Sequence, residues 1–378
     1  MSRLFFIVSF LLLVLPCPRV LGAEAFTPGE IWPDDQGVHI NAHGGGVLFH
    51  DGVYYWFGEH KIAGRGGNSA QVGVSCYSSK TLYDWKNEGV ALAVEESNRS
   101  EITKGCIIER PKVVYNARSN KFVMWFHLEH KGKGYGTARA AVAVADKVTG
   151  PYRFHSSHRP NKGSWPIGYD PKTTNDDKVD LLKRDHKKGQ MSRDMTIFVD
   201  DDGRAYHIGS AEENYTLHIS LLTPDYLGFT GKFSRIFPGG HNEAPAICKH
   251  GGKYWLITSG CTGWDPNEAR SYVADSMAGP WKKLANPCTG PNPIGGMGPE
   301  KTWGGQSTFI LPVHGKPGAF IAMFDLWRPK NPIEGGYLWL PIHFENDRIL
   351  VTYPKSWKHS DFDKAADFLA RVLVFLCK

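Results

Sequence analysis

Five stretches of the chain repeat one plan, and that plan leaves few folds open. They start at His43 (His-Gly-Gly-Gly-Val-Leu-Phe-His-Asp-Gly-Val-Tyr54), Glu109 (Glu-Arg-Pro-Lys-Val-Val-Tyr, then a turn and Lys-Phe122), Asp194 (Asp-Met-Thr-Ile-Phe-Val-Asp-Asp-Asp-Gly-Arg-Ala-Tyr206), Glu243 (Glu-Ala-Pro-Ala-Ile-Cys-Lys-His-Gly-Gly-Lys-Tyr254) and Gln306 (Gln-Ser-Thr-Phe-Ile-Leu-Pro, on to Ala-Phe320). Each has a polar starter, a small or turn-compatible spacer, an apolar run, a turn and a second aromatic-rich run. The starters recur at roughly 50–85 residues, the signature of a radial or stacked architecture. A weaker pair of strands follows the hairpins, and the echo between residues 143–152 (Ala-Val-Ala-Asp-Lys-Val-Thr-Gly-Pro-Tyr) and 272–281 (Tyr-Val-Ala-Asp-Ser-Met-Ala-Gly-Pro-Trp) is close. Four strands per repeat is the content of a propeller blade. The expectation is an all-β, five-bladed β-propeller. In such a fold each innermost strand begins at the central channel, so the five starters should ring it.

Composition agrees. The 378 residues include 42 Gly, 12 Trp, 15 Tyr and 20 Phe, which suits short strands and tight turns better than helices. Asp201-Asp202-Gly203 is expected to turn a hairpin rather than to bind calcium, because the remaining acidic ligands of an EF-hand are missing. A net charge of +6 is too mild to imply nucleic acid, and neither a phosphate loop nor an RNA-binding signature is present. No spacing specifies a metal site or a cofactor.

Residues 26–362 read as one domain. Ahead of it, Arg3 and the apolar run Leu4–Leu15 have the form of a secretory signal over 1–25, so a secreted or periplasmic protein, free of the membrane after cleavage and monomeric, is expected. An oxidising compartment would allow disulfides; Cys261 with Cys288 is the first pairing expected and Cys76 with Cys106 the second. Asn98-Arg-Ser and Asn214-Tyr-Thr are glycosylation acceptors if the host is a eukaryote. Residues 157–193 break the repeat and are polar; they are expected to be a long surface insertion, with Lys183–Lys188 a solvated loop. The tail over 363–378 has helical spacing and belongs to no repeat.

Carboxylates facing one another across a narrow polar pocket are what hydrolysis of a glycosidic bond requires. One acid protonates the leaving oxygen, while a second group activates water from the opposite face, about 6.5–9.5 Å away for inversion. Crowded carboxylates also raise one another's proton affinity. Glu109, Asp194 and Glu243 fit such a set, and the expected partner is a polysaccharide or oligosaccharide. Trp303 and Trp264 are candidates to stack on sugar faces, and His43 is a pocket-lining hydrogen bonder rather than a metal ligand.

Taken together, Ile40-Asn-Ala-His-Gly-Gly-Gly-Val47, Tyr54-Tyr-Trp-Phe-Gly-Glu-His-Lys61, Glu109-Arg-Pro-Lys-Val113, the Asp194 segment, Glu243-Ala-Pro245 and Gln306-Ser-Thr-Phe309 resemble glycoside hydrolase family 43 over roughly residues 28–362. The similarity is to its galactan exo-β-1,3-galactosidase branch. Typical members of the wider family invert configuration with an Asp base in the first blade, but His43-Gly-Gly-Gly stands there instead, as in the galactanase branch. The resemblance implies that Gln306 positions the attacking water, that Glu243 is the general acid and Asp194 its modulator, and that Glu109 lies beside the reacting sugar, where it is the alternative base. It also implies that Glu59 touches the axial 4-hydroxyl of galactose. Two other readings stay open: an α-L-arabinofuranosidase or β-xylosidase, and a sugar-binding propeller without catalysis.

Overall fold

The computed structural model describes residues 24–69, 71–174, 180–293 and 296–363. Most of the expected leader and the tail beyond Asp363, including Cys377, lie outside them. Four blades are sheets of four antiparallel strands in simple sequence order: β1 (His43–His50), β2 (Val53–Lys61), β3 (Gln71–Ser79) and β4 (Lys86–Ala93); β5 (Ile107–Asn116), β6 (Lys121–Glu129), β7 (Arg139–Ala145) and β8 (Arg153–His158); then, after a short helix α1 (Asp180–His186), β9 (Met195–Val199), β10 (Ala205–Ala211), β11 (Thr216–Leu222) and β12 (Phe229–Ile236); and β13 (Glu243–His250), β14 (Lys253–Ser259), β15 (Arg270–Ala274) and β16 (Lys282–Lys283). The fifth sheet differs. The chain first lays down β17 (Cys288–Thr289), which pairs in parallel with the outermost antiparallel strand, and only then forms β18 (Gln306–Pro312), β19 (Phe320–Leu326), β20 (Gly336–Glu345) and β21 (Arg348–Thr352). The result is the expected five-bladed propeller.

The strands β1, β5, β9, β13 and β18 neighbour one another in a closed ring around the channel. Turn chemistry sets the hairpins. Asp51 and Gly52 both take positive φ, as do Gly251 and Gly252, so each pair closes the two-residue turn that suits twisted strands. Ring closure between the last blade and the first is aromatic. Residue Phe26 bridges to Trp357, the Tyr337 hydroxyl donates to the carbonyl of Ile40 and accepts from the amide of Ala42, and Trp56, Trp85 and Trp339 pack in the same core.

Two expectations are corrected. Residues Cys76, Cys106, Cys248, Cys261 and Cys288 are all free thiols. The first proposed pair is split between an exposed position at the pocket and a buried outer strand. Cys76 and Cys106 share one apolar core, where burial pushes the Cys106 thiol up to about 11. The insertion is not simply a solvated loop either. Within Lys183–Lys188, Asp185 is buried against Arg184 and Arg159, and on α1 the neighbouring Leu182 packs against Phe233, Trp165 and Tyr169 on the outside of the third blade. Polar composition concealed these apolar anchors.

Candidate active site

The innermost strands do not enter the channel straight. Ladder register shifts between His43 and Gly46, Glu109 and Lys112, Glu243 and Ala246, and Ser307 and Phe309. Such bulges re-aim the side chains beside them. In three blades the residue after the starter is left-handed: Gly44 (φ 62°), Arg110 (φ 56°) and Ala244 (φ 52°). For Arg110 and Ala244 that conformation costs about 1–3 kcal/mol each. It also turns three amides toward carboxylates of the preceding blade. The amide of Gly44 donates to Asp325 Oδ2, that of Arg110 to Glu59 Oε1 at 3.0 Å, and that of Ala244 to Asp194 Oδ2 at 3.2 Å. The strain is thus held by bonds that also tie neighbouring blades together at the channel mouth.

A cavity of about 390 Å³ opens there. Four of the five starters line it: Glu109, Asp194, Glu243 and Gln306. Arg110 links them. Its guanidinium is buried, donating to Asp194 Oδ2 at 2.7 Å, to Gln306 Oε1 at 2.6 Å and to the carbonyl of Ser307 at 3.1 Å, and it lies over the Trp327 ring at 5.2 Å. Gln306 Oε1 also accepts from the Trp327 indole at 2.9 Å, and Gln306 Nε2 donates to Ser259 Oγ at 3.0 Å. Two obligate donors on Oε1 keep it a carbonyl oxygen and leave one N–H of the amide for another partner.

The carboxylates are in different states. Burial, aided by the charge of Asp194, raises Glu243 to about 7, so it carries a proton near neutrality. Burial would raise Glu109 as well, but His127 Nδ1 at 2.9 Å and the Tyr135 hydroxyl at 2.7 Å overcome it and hold Glu109 down to about 2. The His127 ring lies between Glu109 and Glu129, whose Oε1 is 2.9 Å from Nε2. Burial opposes protonation of the ring, but the two carboxylates raise it to about 9, and it stays an imidazolium. Glu59 forms part of the lining, with Oε2 paired to Lys61 Nζ at 2.8 Å; burial raises its proton affinity and Lys61 counters this.

The other expected residues divide. Trp264 stands at the rim, 45 % exposed and edge-on to Trp327, and lines the cavity. Trp303 does not: it is 0 % exposed, donates to the carbonyl of Pro291 and packs against Tyr353 in the core of the last blade, which removes it from any sugar. His43 misses the main cavity as well. It is buried beneath Trp327, stacked on Tyr337 with centroids 5.2 Å apart, and borders a side cleft with Lys61 and Asn68. Burial, with Lys61 nearby, pushes it down to about 3, so it is neutral. Reading the motifs missed Arg110, His127, Ser259, Asp325, Trp327, Asn214 and Cys261. A signal existed for three of them, because they lie directly across the ladder from starters: Glu109 pairs with His127, which lines the cavity, while Ser259, opposite Glu243, and Asp325, opposite Gln306, lie behind the lining.

An ionised carboxylate, a protonated one and a clamped amide around one cavity form a set suited to acid-assisted displacement at an acetal carbon. Comparisons with known proteins agree. The family model described as glycosyl hydrolases family 43 matches residues 47–303. A family 43 β-1,3-galactosidase solved with galactodeoxynojirimycin shares 52% identity over 88% of this chain and 100% of its own, with a TM-score of 0.82. An exo-β-1,3-galactanase from Clostridium thermocellum shares 36% over 88% of this chain and 66% of its own (TM-score 0.74). The exo-β-1,3-galactanase of Phanerochaete chrysosporium, solved with β-1,3-galactotriose, shares 31% over 88% and 68% (TM-score 0.73). Among curated proteins no match is found. The chain belongs to glycosyl hydrolases family 43 and is a glycosidase acting on O-glycosyl bonds.

Proposed function

We propose that this glycosidase is exported and removes terminal galactose from β-1,3-galactan with inversion of configuration. The observation that carries the reading is the place of Glu243: it lies buried beside Asp194 in a cavity whose other acids are paired, surroundings that raise its proton affinity to about 7. Glu243 gives its proton to the leaving oxygen. Asp194, tied to Arg110, supplies the charge that keeps the proton on Glu243. Glu109 binds protons too weakly to act as base, and its permanent charge instead favours the oxocarbenium character of the transition state. Attack on such a centre asks more for orientation of the water than for its deprotonation beforehand; once the new C–O bond has formed, the oxonium is acidic enough to give its proton to solvent or to the ionised Glu109. The second N–H of Gln306, with its carbonyl held by Arg110 and Trp327, can provide that orientation. Glu59 is the group we assign to the axial hydroxyl of galactose. The 52%-identical relative is a β-1,3-galactosidase, which supports the same substrate class.

The proposed export rests on the apolar run after Arg3; among the described residues no helix is long and apolar enough to cross a membrane. Incubation with β-1,3-galactobiose, followed by proton NMR at early times, tests the reading. The reducing-end unit contributes galactose at its equilibrium anomer ratio, so the readout is the excess over that ratio: we expect excess α-galactose at early times, decaying by mutarotation. An early excess of β-galactose would end the inverting assignment, and release of pentose from aryl pentosides with no galactose from galactobiose would end the substrate assignment.

A further inference from the structure

An acid catalyst has two oxygens, and only one can present the proton. Glu243 Oε1 receives Nδ2 of Asn214 at 2.6 Å and the thiol of Cys261 at 3.3 Å, whereas Oε2 takes no hydrogen bond from the described residues. The second Asn214 N–H reaches the Cys261 sulfur at 3.8 Å, which leaves the thiol hydrogen free to turn toward Oε1. An oxygen that faces two donors has no place for a hydrogen of its own.

The turn that presents Asn214 is built rather than incidental. Residues Glu212, Glu213 and Asn214 are all left-handed, with φ of 53°, 56° and 67°. Three such residues in succession persist only where the surroundings over-determine them. Here the buried Glu212 carboxylate accepts from Arg235, His218 and Thr216. Glu213 is gripped by Arg184 of α1 at 3.0 Å and by Arg193 at 2.7 Å. The insertion between the second and third blades therefore braces the turn that carries Asn214 into the cavity.

We propose that Asn214 and Cys261 are positioning residues that keep the proton of Glu243 on Oε2, aimed at the leaving oxygen. The proposal rests on the reading of Glu243 as the acid. Both donors favour the ionised form of Glu243 while fixing which oxygen is protonated, so their loss has two signatures. For Asn214→Ala we expect kcat on β-1,3-galactobiose to fall roughly ten- to a hundredfold, while turnover of 2,4-dinitrophenyl β-galactoside, whose leaving group needs no proton, stays within about threefold. The basic limb of the pH profile should move to higher pH. Cys261→Ala should show the same pattern more weakly, and Cys261→Ser, which restores a donor, should recover most of what Cys261→Ala loses. Equal losses on both substrates, carried by KM with the basic limb unmoved, would make Asn214 a sugar contact and overturn the proposal. So would alanine variants indistinguishable from the parent. Glu243→Gln separates this from failure of the acid reading: if that variant still turns over galactobiose, Glu243 is not the acid and the positioning role falls with it.

Discussion

The two ends of the channel are made by the same five strands but present different side chains. At the starter end they deliver Glu109, Asp194, Glu243 and Gln306 into a polar cavity of about 390 Å³. A few residues further along they line a larger space of about 520 Å³ with Val47, Phe49, Val113, Ile197, Ile247, Phe309 and Leu311. The residue Lys112 marks the boundary. Its chain runs past Gly46, where a Cβ would fall 2.7 Å from the lysine Cδ, and its ammonium donates to the carbonyls of Gly44 and Arg110 at 2.8 and 3.3 Å. The difference is one of backbone as much as of residue type. Bulges and left-handed residues break the ladder where the chemistry sits. Beyond them the ladder is regular, and most of the inward residues are apolar and fill space.

Substitutions at the two ends should therefore fail in different ways. The largest effect belongs to Glu243→Gln, which we expect to lower kcat on galactobiose by on the order of a thousandfold or more with little change in melting temperature; a loss explained by unfolding would blur the contrast. At the other end, Ile247→Ala should destabilise by about 2–5 kcal/mol in denaturant titrations and leave kcat and KM alone. Between these falls a paired comparison of tryptophans. Trp264→Ala should raise KM about tenfold through a lost sugar platform, with stability nearly unchanged. Trp303→Ala should lower the melting temperature and leave KM alone. An equal KM effect from both would contradict the placement of Trp303 in the core.

The pH dependence of stability probes the boundary itself. Burial, with Arg110 beside it, depresses Lys112 from 10.5 to about 7. The unfolded chain then binds more protons than the folded one between those values. The lysine weakens the fold below about pH 7, and that penalty fades as pH rises toward 10.5. Relative to the parent, Lys112→Met should therefore compare best near pH 6–7 and progressively worse up to pH 10. A pH-independent difference would mean that Lys112 keeps an ordinary proton affinity.

What was legible in the sequence follows the same division. The repeat, the hairpin turns and the starters could be read because each depends on local spacing, and four starters meet as that spacing implies. His43 was misplaced because Trp327, remote in sequence, covers it. Trp303 was misplaced because its neighbours in the short segment before β18 turn it into the core. The ion pairs of Arg110 and the Glu109–His127–Glu129 chain depend on which blade faces which, and on bulges that no local pattern specifies. The anchors of the insertion, Leu182 and Asp185, were hidden among charged neighbours.

The most direct test of the central claim, that hydrolysis is acid-assisted at the polar mouth of the channel, is a crystal structure of the Glu243→Gln variant soaked with β-1,3-galactobiose. We expect the terminal galactose between position 243 and Gln306, with its glycosidic oxygen within hydrogen-bonding distance of the side chain at 243 and its 4-hydroxyl on Glu59. A disaccharide seated elsewhere, or with its glycosidic oxygen turned away from position 243, would contradict it.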